Sequence, residues 1–398
     1  MHIPSEEIYR EIFHESAGIW FVRSVGTDSH AILLKAPTNV LKAIMAGCTV
    51  KVSFTVDQSA YPPILTSCVQ IYDGKDAPFM VFGSHINQAE HSALPEILNR
   101  RSTPLFLYDE LIRNVAWAET SWGNAVDRVS QLILSFESFY AGVSTKDVQS
   151  ALDNLQSSLV PNSVAQAALL NSEQVELTSA SFNTIDVYVY GVNDKIQMFN
   201  ALSEDEGGGL EQSTWQLLES LFIDQIYRSP QVLSDNGKIR ELTDIFCFTN
   251  QGIFLFETKV SSVLNTSLER STERRAKNIE SQIEKALRQL RGAIKTVRSG
   301  QKIVTKSGVE LNFNREIVPH GVVVISEMFP FINWDEITIC LMKTALESNS
   351  MIHILDLQEL RTLIGCSSSF NHFDYYLMTR LETVIDRKSA FIRTKFAG

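Results

Sequence analysis

The sequence of 398 residues lacks several features that mark whole classes of protein. It contains five cysteines, an odd number without Cys-x-x-Cys spacing, which argues against a disulfide framework and against structural zinc. No apolar run approaches the length that spans a bilayer, and residues 1–7 lack the pattern of a secretory signal peptide. We therefore expect a cytoplasmic protein that does not associate with membranes.

The chain also lacks an overall excess of positive charge. Its 35 Lys and Arg residues are outnumbered by 46 Asp and Glu residues, which gives a formal net charge of −11. A protein of this charge that binds nucleic acid needs a concentrated basic surface, because phosphate contacts supply most of the non-specific affinity. The length and the 44% hydrophobic composition predict two or three globular domains.

The first third of the sequence is typical of a β-rich domain. Short runs of β-branched and aromatic residues recur at fairly regular spacing, and turn signals such as Asp73-Gly74 separate several of them. This pattern predicts an antiparallel barrel or sandwich. The predicted strands are residues 19–22, 30–35, 49–56, 64–72, 79–82 and 105–108.

The sequence divides into three predicted segments: a β-rich α+β domain at residues 1–122, a connector at residues 123–204 and an α/β domain at residues 205–398. The connector contains two helical patterns and a hairpin formed by residues 185–190 and 195–199. The β-rich domain carries no motif for a reaction. A role in DNA recognition, in binding a further partner or ligand, or in dimerisation stays open.

The most informative stretch is a predicted hairpin in which two short apolar strands flank the turn at residues 249–252. An even-length loop pairs Asp244 directly with Glu257, whose Cβ atoms would then be about 5 Å apart. Strand alternation places Lys259 on the same face as Glu257. Three charged residues are therefore predicted to gather at one end of the hairpin.

Both faces of this hairpin are apolar, which predicts central strands covered by helices on two sides. The charged residues would lie at the rim of a buried sheet, where they are costly unless something compensates them. A hard divalent cation shared by the two carboxylates would supply that compensation. The alternative is a surface hairpin whose charges simply form a salt bridge. One face carries Phe246, Phe248, Ile253 and Leu255, and the other carries Ile245, Cys247, Phe254 and Phe256.

The elements around the hairpin complete an α/β pattern, with a central mixed sheet flanked by helices. Gly207–Gly209 are predicted to break the chain before an amphipathic helix at residues 210–226. Asp356 is predicted to cap the last of the helices that follow the hairpin. The remaining predicted elements are strands near 231–233, 321–325 and 351–355 and helices at about 274–297, 335–348 and 357–364.

This order of elements and the charged motif resemble the restriction-endonuclease-like, or PD-(D/E)XK, nuclease superfamily. The resemblance rests on Asp244, twelve intervening residues and Glu257-Thr-Lys259, with Thr243 in place of the name-giving proline. It covers about residues 205–398 and is especially similar in form to the nuclease-related-domain and Mrr-like branches. It implies that Asp244 and Glu257 bind Mg²⁺ or Mn²⁺. It also implies that Lys259 positions or activates the attacking water and stabilises the charged phosphate.

The resemblance implies two further site residues on the flanking helices. Members often carry an acidic residue on the first helix, which Glu211 matches, and a glutamine on the helix after the glutamate-lysine strand. Gln289 is our first candidate for that glutamine, and Gln282, seven residues earlier, is the second. The alternatives are a glutamate favoured by the helix macrodipole and two solvated helix residues.

The helix after the hairpin is strongly basic. Residues 269–298 hold nine basic side chains against four glutamates, a local excess of +5 in an acidic chain. This excess beside a candidate phosphodiesterase site favours DNA binding. The alternative is a solvated helix stabilised by i,i+4 ion pairs. The predicted DNA contacts are Arg274, Arg275, Lys285 and Arg288.

Together these observations predict a Mg²⁺-dependent endonuclease of DNA, acting by resemblance in restriction of foreign DNA or anti-phage defence. Cleavage of both strands usually requires two active sites, so we expect a homodimer or a larger homo-oligomer. One alternative is a catalytically inactive nuclease fold that serves as a binding or regulatory scaffold, against which the intact Asp244, Glu257 and Lys259 argue. Another is a nuclease that acts on RNA or on branched DNA in repair.

Overall fold

The computed structural model describes residues 4–26, 28–100, 102–159, 170–191, 196–203, 205–233, 238–260 and 271–394. Contacts within the chain divide it into two compact units. Within the described ranges, unit 1 comprises residues up to 187 together with 200–202. Unit 2 comprises the described residues of 188–199, 203–260 and 271–394.

Unit 1 is built around one sheet of nine strands with helices packed against it. Its strands are β1 (Gly18–Arg23), β2 (His30–Lys35), β3 (Val50–Asp57), β4 (Ile64–Ile71), β5 (Phe79–Ser84), β6 (Thr103–Tyr108), β7 (Asn114–Trp122), β8 (Leu170–Ser179) and β9 (Asn183–Thr184). Its helices are α1 (Glu6–His14), α2 (Thr38–Met45), α3 (Gln88–Leu98), α4 (Val126–Leu134) and α5 (Lys146–Leu159).

The sheet of unit 1 has the order β1-β2-β6-β7-β8-β3-β4-β5, with β9 beside β7. Its pairings are antiparallel except that of β2 with β6, so the prediction of an antiparallel domain is wrong for that pair. The two ends of the sheet approach each other, because a Cβ added at Gly83 of β5 would lie 3.7 Å from Ile19 Cγ2 of β1. The sheet is therefore strongly curled.

The six strands predicted for the first third are present, whereas β7, β8 and β9 are additional. Strand β8 lies between β7 and β3 in the middle of the sheet. The predicted boundary at residue 122 therefore falls inside unit 1, and the predicted connector at residues 123–204 is not a separate segment. The sequence of β8 hides this role, because its residues are mostly polar and, among its described side chains, only Val175 and Leu177 are buried and apolar.

Unit 2 contains a three-stranded sheet, a central five-stranded sheet and the predicted hairpin of β10 (Val187–Tyr190) and β11 (Ile196–Phe199), except for residue 187, which belongs to unit 1. No helix among the described residues is long and apolar enough to cross a membrane. The remaining strands are β12 (Ile226–Arg228), β13 (Gln231–Leu233), β14 (Ile239–Glu241), β15 (Ile245–Phe248), β16 (Ile253–Lys259), β17 (Lys302–Val304), β18 (His320–Ile325) and β19 (Met351–Asp356). The helices are α6 (Glu206–Glu219), α7 (Thr272–Arg298), α8 (Trp334–Ser348), α9 (Leu357–Gly365) and α10 (Phe370–Arg387).

The central sheet has the order β12-β15-β16-β18-β19, and its last three strands run parallel. Helices cover both faces, as the apolar strands predict. Phe246 and Leu255 pack into the core that α7 and α8 cover, together with Ile283 and Leu290 of α7. On the opposite face, the ring of Phe254 contacts the rings of Phe222, Phe370 and Phe373. Parallel strands buried on two faces belong to mixed α/β folds of this kind.

Two predicted elements of unit 2 differ in the structure. Helix α6 ends at Glu219 and not at residue 226, because residues 226–228 pair with β15 as the edge strand β12. Gly207–Gly209 lie inside the first turns of α6, where Asp205 Oδ1 accepts a hydrogen bond from Gly208 N at 2.8 Å. Residues 231–233 do form a strand, but it belongs to the small sheet β14-β13-β17 and not to the central one.

Candidate active site at the carboxyl end of the central sheet

The hairpin of β15 and β16 has the register that the even-length turn predicts. Phe248 pairs with Ile253 and Phe246 with Leu255, and the ladder ends at the pair Ile245–Phe256. Asp244 and Glu257 are the next residues outward on the two strands. At this end Thr243 Oγ1 donates to the carbonyl oxygen of residue 256 at 2.7 Å, which ties the strands together beyond the last ladder pair.

Asp244 is held in one orientation by the strand opposite. Its Oδ2 accepts hydrogen bonds from Thr258 N at 2.6 Å and from Thr258 Oγ1 at 2.9 Å. The backbone carbonyl of Asp244 accepts from Ser229 N at 2.7 Å. Both its side chain and its main chain are therefore fixed before any ligand binds.

Lys259 completes a cluster of three charged groups. Its Nζ lies 2.9 Å from Glu257 Oε2 and 3.9 Å from Asp244 Oδ2. The Glu257 side chain is only 2% exposed, while those of Lys259 and Asp244 are 12% and 22% exposed. The structure thus brings together the three residues that the hairpin spacing singled out. Because all three are at least partly buried, the cluster is not a surface salt bridge of the kind that water and salt screen.

The carboxyl group of Glu257 has a raised pKa, at about 7. Burial is the largest cause and the charge of Asp244 is the second, while Lys259 and a hydrogen bond from Thr243 act in the opposite direction. The cluster therefore carries more negative charge than one lysine neutralises. A ligand that brings positive charge would lower the pKa of Glu257 and hold its carboxylate ionised.

The donor set fits a magnesium ion better than a closed metal cage. Among the described residues no group of three or more His, Cys, Asp or Glu side chains could hold a metal ion. Mg²⁺ commonly takes one or two carboxylates and keeps several water molecules, whereas structural zinc is bound by four nitrogen or sulfur ligands. Asp244 and Glu257 are the side chains that would hold Mg²⁺ or Mn²⁺ here.

Glu211, the predicted acidic residue of the first helix, lies in a different pairing. Its Oε1 accepts a hydrogen bond from Nε of Arg228, the last residue of edge strand β12. Strand β12 is the neighbour of β15, so Glu211 reaches the hairpin through Arg228. The described contacts bring it neither to Asp244 nor to Glu257.

The two predicted glutamines lie at different levels along α7. Leu290, beside Gln289, packs at Gly321, which pairs with Leu255 four residues before Lys259. Gln289 is therefore about 7 Å along the strand from Glu257 and about 13 Å from Lys259, and its side chain is exposed. Gln282 is partly buried and lies about 10 Å nearer the start of the helix. Of the two, Gln282 lies closer to the level of the cluster.

The predicted DNA contacts on α7 are not equivalent. Arg274 and Lys285 are exposed, and Arg288 is exposed with its Nη1 3.6 Å from Glu284 Oε2. Arg275 is directed elsewhere, because Nη2 donates to Glu327 Oε2 at 2.6 Å and its guanidinium lies 4.7 Å from the centre of the Phe329 ring. Three of the four predicted contacts thus form an exposed basic surface, which we call the α7 basic surface (Arg274, Lys285, Arg288).

Further charged residues stand at the same end of the sheet and were missed by the sequence reasoning. Glu327 follows β18, and Asp356 ends β19 and caps α9 through Glu359 N at 2.8 Å. Only the cap was predicted. The available signal was positional, because ligands of open α/β sheets bind at the carboxyl ends of parallel strands. The polar residues that follow each predicted strand were therefore candidates.

Comparisons with known proteins give little independent information. No protein-family model and no curated protein matches this sequence. Among solved structures, the small subunit of a heterodimeric restriction endonuclease is similar over 45% of this chain and 89% of that chain, with 12% sequence identity and a TM-score of 0.27. A TM-score this low does not establish a shared fold.

Proposed function

We propose that unit 2 is a Mg²⁺-dependent nuclease that hydrolyses phosphodiester bonds of DNA, with Mn²⁺ as an alternative ion. The observation that carries the proposal is the cluster of Asp244, Glu257 and Lys259, with Lys259 Nζ 2.9 Å and 3.9 Å from the two carboxylates. Two carboxylates and a lysine, at the end of the sheet where the parallel strands have their carboxyl ends, are suited to charge that develops during phosphoryl transfer.

The chain's own residues divide the work of this reaction. Asp244, fixed by Thr258, and the buried carboxylate of Glu257 would hold the ion. Bound Mg²⁺ would polarise the phosphate and lower the pKa of a water molecule. Lys259 presents an ammonium group that stabilises negative charge on the phosphate oxygens or positions the attacking water. The low exposure of Glu257 and Lys259 strengthens these electrostatic effects.

The α7 basic surface supports DNA as the substrate. It concentrates positive charge on the helix that follows β16 in a chain whose net charge is −11. Non-specific affinity for DNA comes largely from such phosphate contacts. A homodimer or larger homo-oligomer would place two active sites on the two strands, and restriction or anti-phage defence is the process that this activity would serve.

The test is cleavage of supercoiled plasmid with Mg²⁺ or Mn²⁺, against an EDTA control. We expect Glu257→Gln and Lys259→Met to lose at least a hundredfold in rate, since removing one electrostatic donor from a site of this kind costs about 10²–10³ in rate. Glu241→Gln is the matched control, because Glu241 is an exposed carboxylate close by in sequence and should leave the rate unchanged.

Cleavage that survives both substitutions would show that another site is responsible. Failure to cleave plasmid, single-stranded DNA, branched DNA or RNA with either ion would favour the alternative hypothesis of a catalytically inactive binding or regulatory scaffold. Cleavage confined to RNA would keep the site and change the substrate.

A further inference from the structure

The chain after α10 forms an irregular segment at residues 389–394, which we call the C-terminal strap. It is fixed along its length by contacts within unit 2. Ala390 N donates to Thr338 Oγ1 of α8 at 2.8 Å. Thr394 N and Oγ1 both donate to Glu359 Oε1 of α9, at 3.0 Å and 2.7 Å. The strap therefore holds its side chains in defined positions.

The strap brings Arg393 to the end of the sheet that carries the proposed active site. Arg393 Nη1 donates to Asp356 Oδ1 at 2.8 Å, and its Nη2 donates to the other carboxylate oxygen. Asp356 pairs with Ile325 and Ile325 pairs with Lys259, so all three share one level of the sheet. Two strand spacings separate Asp356 from Lys259, or about 10 Å. Register partners also share a face, so Asp356 lies on the face of Lys259.

Among the described cations near this end of the sheet are Lys259, Arg275 and Arg393, which differ in exposure. The side chains of Lys259 and Arg275 are 12% and 15% exposed, whereas that of Arg393 is 43% exposed. Two N–H groups of Arg393 bind Asp356. A guanidinium has five, so three have no acceptor among the described residues and can bind another group while the ion pair stays intact.

The acidic residues at this end create a need for such a donor. A nucleic acid strand with its scissile phosphate at Lys259 that runs along this end of the sheet toward β19 would carry neighbouring phosphates past Glu327 and Asp356. Those two carboxylates would repel the phosphates unless cations face them. Arg275 already pairs with Glu327 at 2.6 Å. Arg393 is more exposed than Arg275, and its guanidinium lies next to Asp356, where it can bind a phosphate.

We propose that Arg393 is a substrate-positioning residue that binds a backbone phosphate neighbouring the scissile one. This assignment rests on the proposed nuclease function. Asp356 orients the guanidinium, and the strap supplies a fixed anchor, so little side-chain freedom is lost when the phosphate binds. Arginine suits the role because its planar fork matches phosphate geometry.

The competing role for Arg393 is purely structural, as the ion pair that fastens the strap to β19. The two roles predict opposite effects of Asp356→Asn. Asparagine can still cap α9, and it leaves the positive charge of Arg393 without its counter-charge. If Arg393 binds phosphate, Asp356→Asn strengthens DNA binding and Arg393→Ala weakens it. If the ion pair only holds the strap in place, Asp356→Asn and Arg393→Ala both weaken DNA binding.

The experiment measures binding of a fluorescently labelled DNA duplex by the full chain in EDTA, over a series of salt concentrations. For Arg393→Ala we expect the slope of log K against log salt to fall by about 0.9 in magnitude, the value for one lost phosphate contact. Arg393→Lys, which keeps the charge, should retain most of the slope and serves as the second variant if the alanine variant folds poorly.

Arg298→Ala is the matched control, because Arg298 is an exposed arginine at the far end of α7 that donates to the carbonyls of Ser348 and Asn349. It should leave the slope unchanged. An unchanged slope in Arg393→Ala, or weaker binding in Asp356→Asn, would overturn the role of Arg393 alone. A wild-type protein that binds no DNA duplex at any salt concentration would overturn the proposed function together with it.

Discussion

Glu257 is a carboxylic acid placed where its proton is unusually hard to remove. Its side chain is 2% exposed, and its pKa is raised to about 7, first by burial and then by the charge of Asp244. In the unfolded chain the same group titrates near its ordinary value of 4.5. The pKa of Glu257 is higher in the folded state than in the unfolded state. Its contribution to the free energy of unfolding is therefore fully present below pH 4.5 and is lost as the pH rises through 7.

This shift predicts how the metal-free protein responds to pH. In EDTA, the free energy of unfolding of the wild type should fall relative to Glu257→Gln between pH 5 and pH 8, by up to about 3 kcal/mol at about 1.4 kcal/mol per pKa unit. Urea unfolding at successive pH values measures the difference. The difference in free energy of unfolding between the wild type and Glu257→Gln cancels the contribution of the other titrating groups, which both proteins share.

Added Mg²⁺ should reverse the effect at pH 8, because an ion that binds the folded state stabilises it. The stabilisation should be larger for the wild type than for Glu257→Gln. A pH-independent difference between the two proteins would contradict the assigned pKa, and equal stabilisation by Mg²⁺ would contradict the role of Glu257 as a ligand.

The hairpin that carries these charges depends on a close approach at its turn. A Cβ added to Gly252 would lie 2.4 Å from Phe370 Cζ and 2.9 Å from Phe254 Cε2. The ring of Phe370 is itself in contact with Phe222 and Phe254, so it cannot easily give way. The turn therefore requires glycine for lack of space and not for a left-handed backbone.

The predicted consequence is that Gly252→Ala destabilises unit 2 by about 1–3 kcal/mol, the usual cost of overpacking. Gly292→Ala is the matched control, because nothing lies within 4 Å of a Cβ at that exposed position in α7. Alanine in a helix interior is favoured over glycine, so this second change should stabilise by about 0.5–1 kcal/mol. Denaturant unfolding of both variants checks the opposite signs.

Local sequence patterns were sufficient to predict the hairpin, but they did not predict which residues contact the side chains on the elements around it. The register of Asp244 and Glu257 follows from the parity of one short turn, and the cap at Asp356 follows from one residue type before a helix. By contrast, the pairing of Glu211 with Arg228 depends on where two separate elements meet in space. The position of Gln289 relative to the charged cluster depends on how far α7 and β16 each advance per residue, and these two rises differ more than twofold.

The distribution of charge over the whole chain is uneven. Its net charge is −11, while residues 269–298 hold nine basic side chains against four glutamates. If unit 2 binds DNA as proposed, the negative net charge would oppose the approach of DNA, and the basic helix α7 would attract it and orient the encounter. If the local charge of α7 governs DNA binding, removing positive charge there should reduce the affinity for DNA more than removing the same charge elsewhere. If total charge governs it, the two losses should be equal.

Two triple variants with the same total charge separate these effects. Arg274→Gln with Lys285→Gln and Arg288→Gln removes the α7 basic surface, and we expect the salt slope of DNA binding to fall by about 0.9 for each lost contact. The control replaces the exposed Arg10, Lys75 and Arg128 of unit 1 by glutamine. Equal losses of affinity in the two triple variants would contradict the α7 basic surface as the site of DNA contact.

The contact between Lys259 and Glu257 has a thermodynamic consequence for metal binding. With Nζ 2.9 Å from Oε2, the ammonium group serves as a resident counter-ion of the two carboxylates. Any divalent cation that binds there must compete with it, so the measured affinity for the cation includes the cost of loosening this ion pair. Lys259→Met should therefore bind Mg²⁺ more tightly while cleaving DNA more slowly. In the proposed reaction, the same competition would free the lysine from Glu257 and make its ammonium group available to the phosphate once the cation is bound.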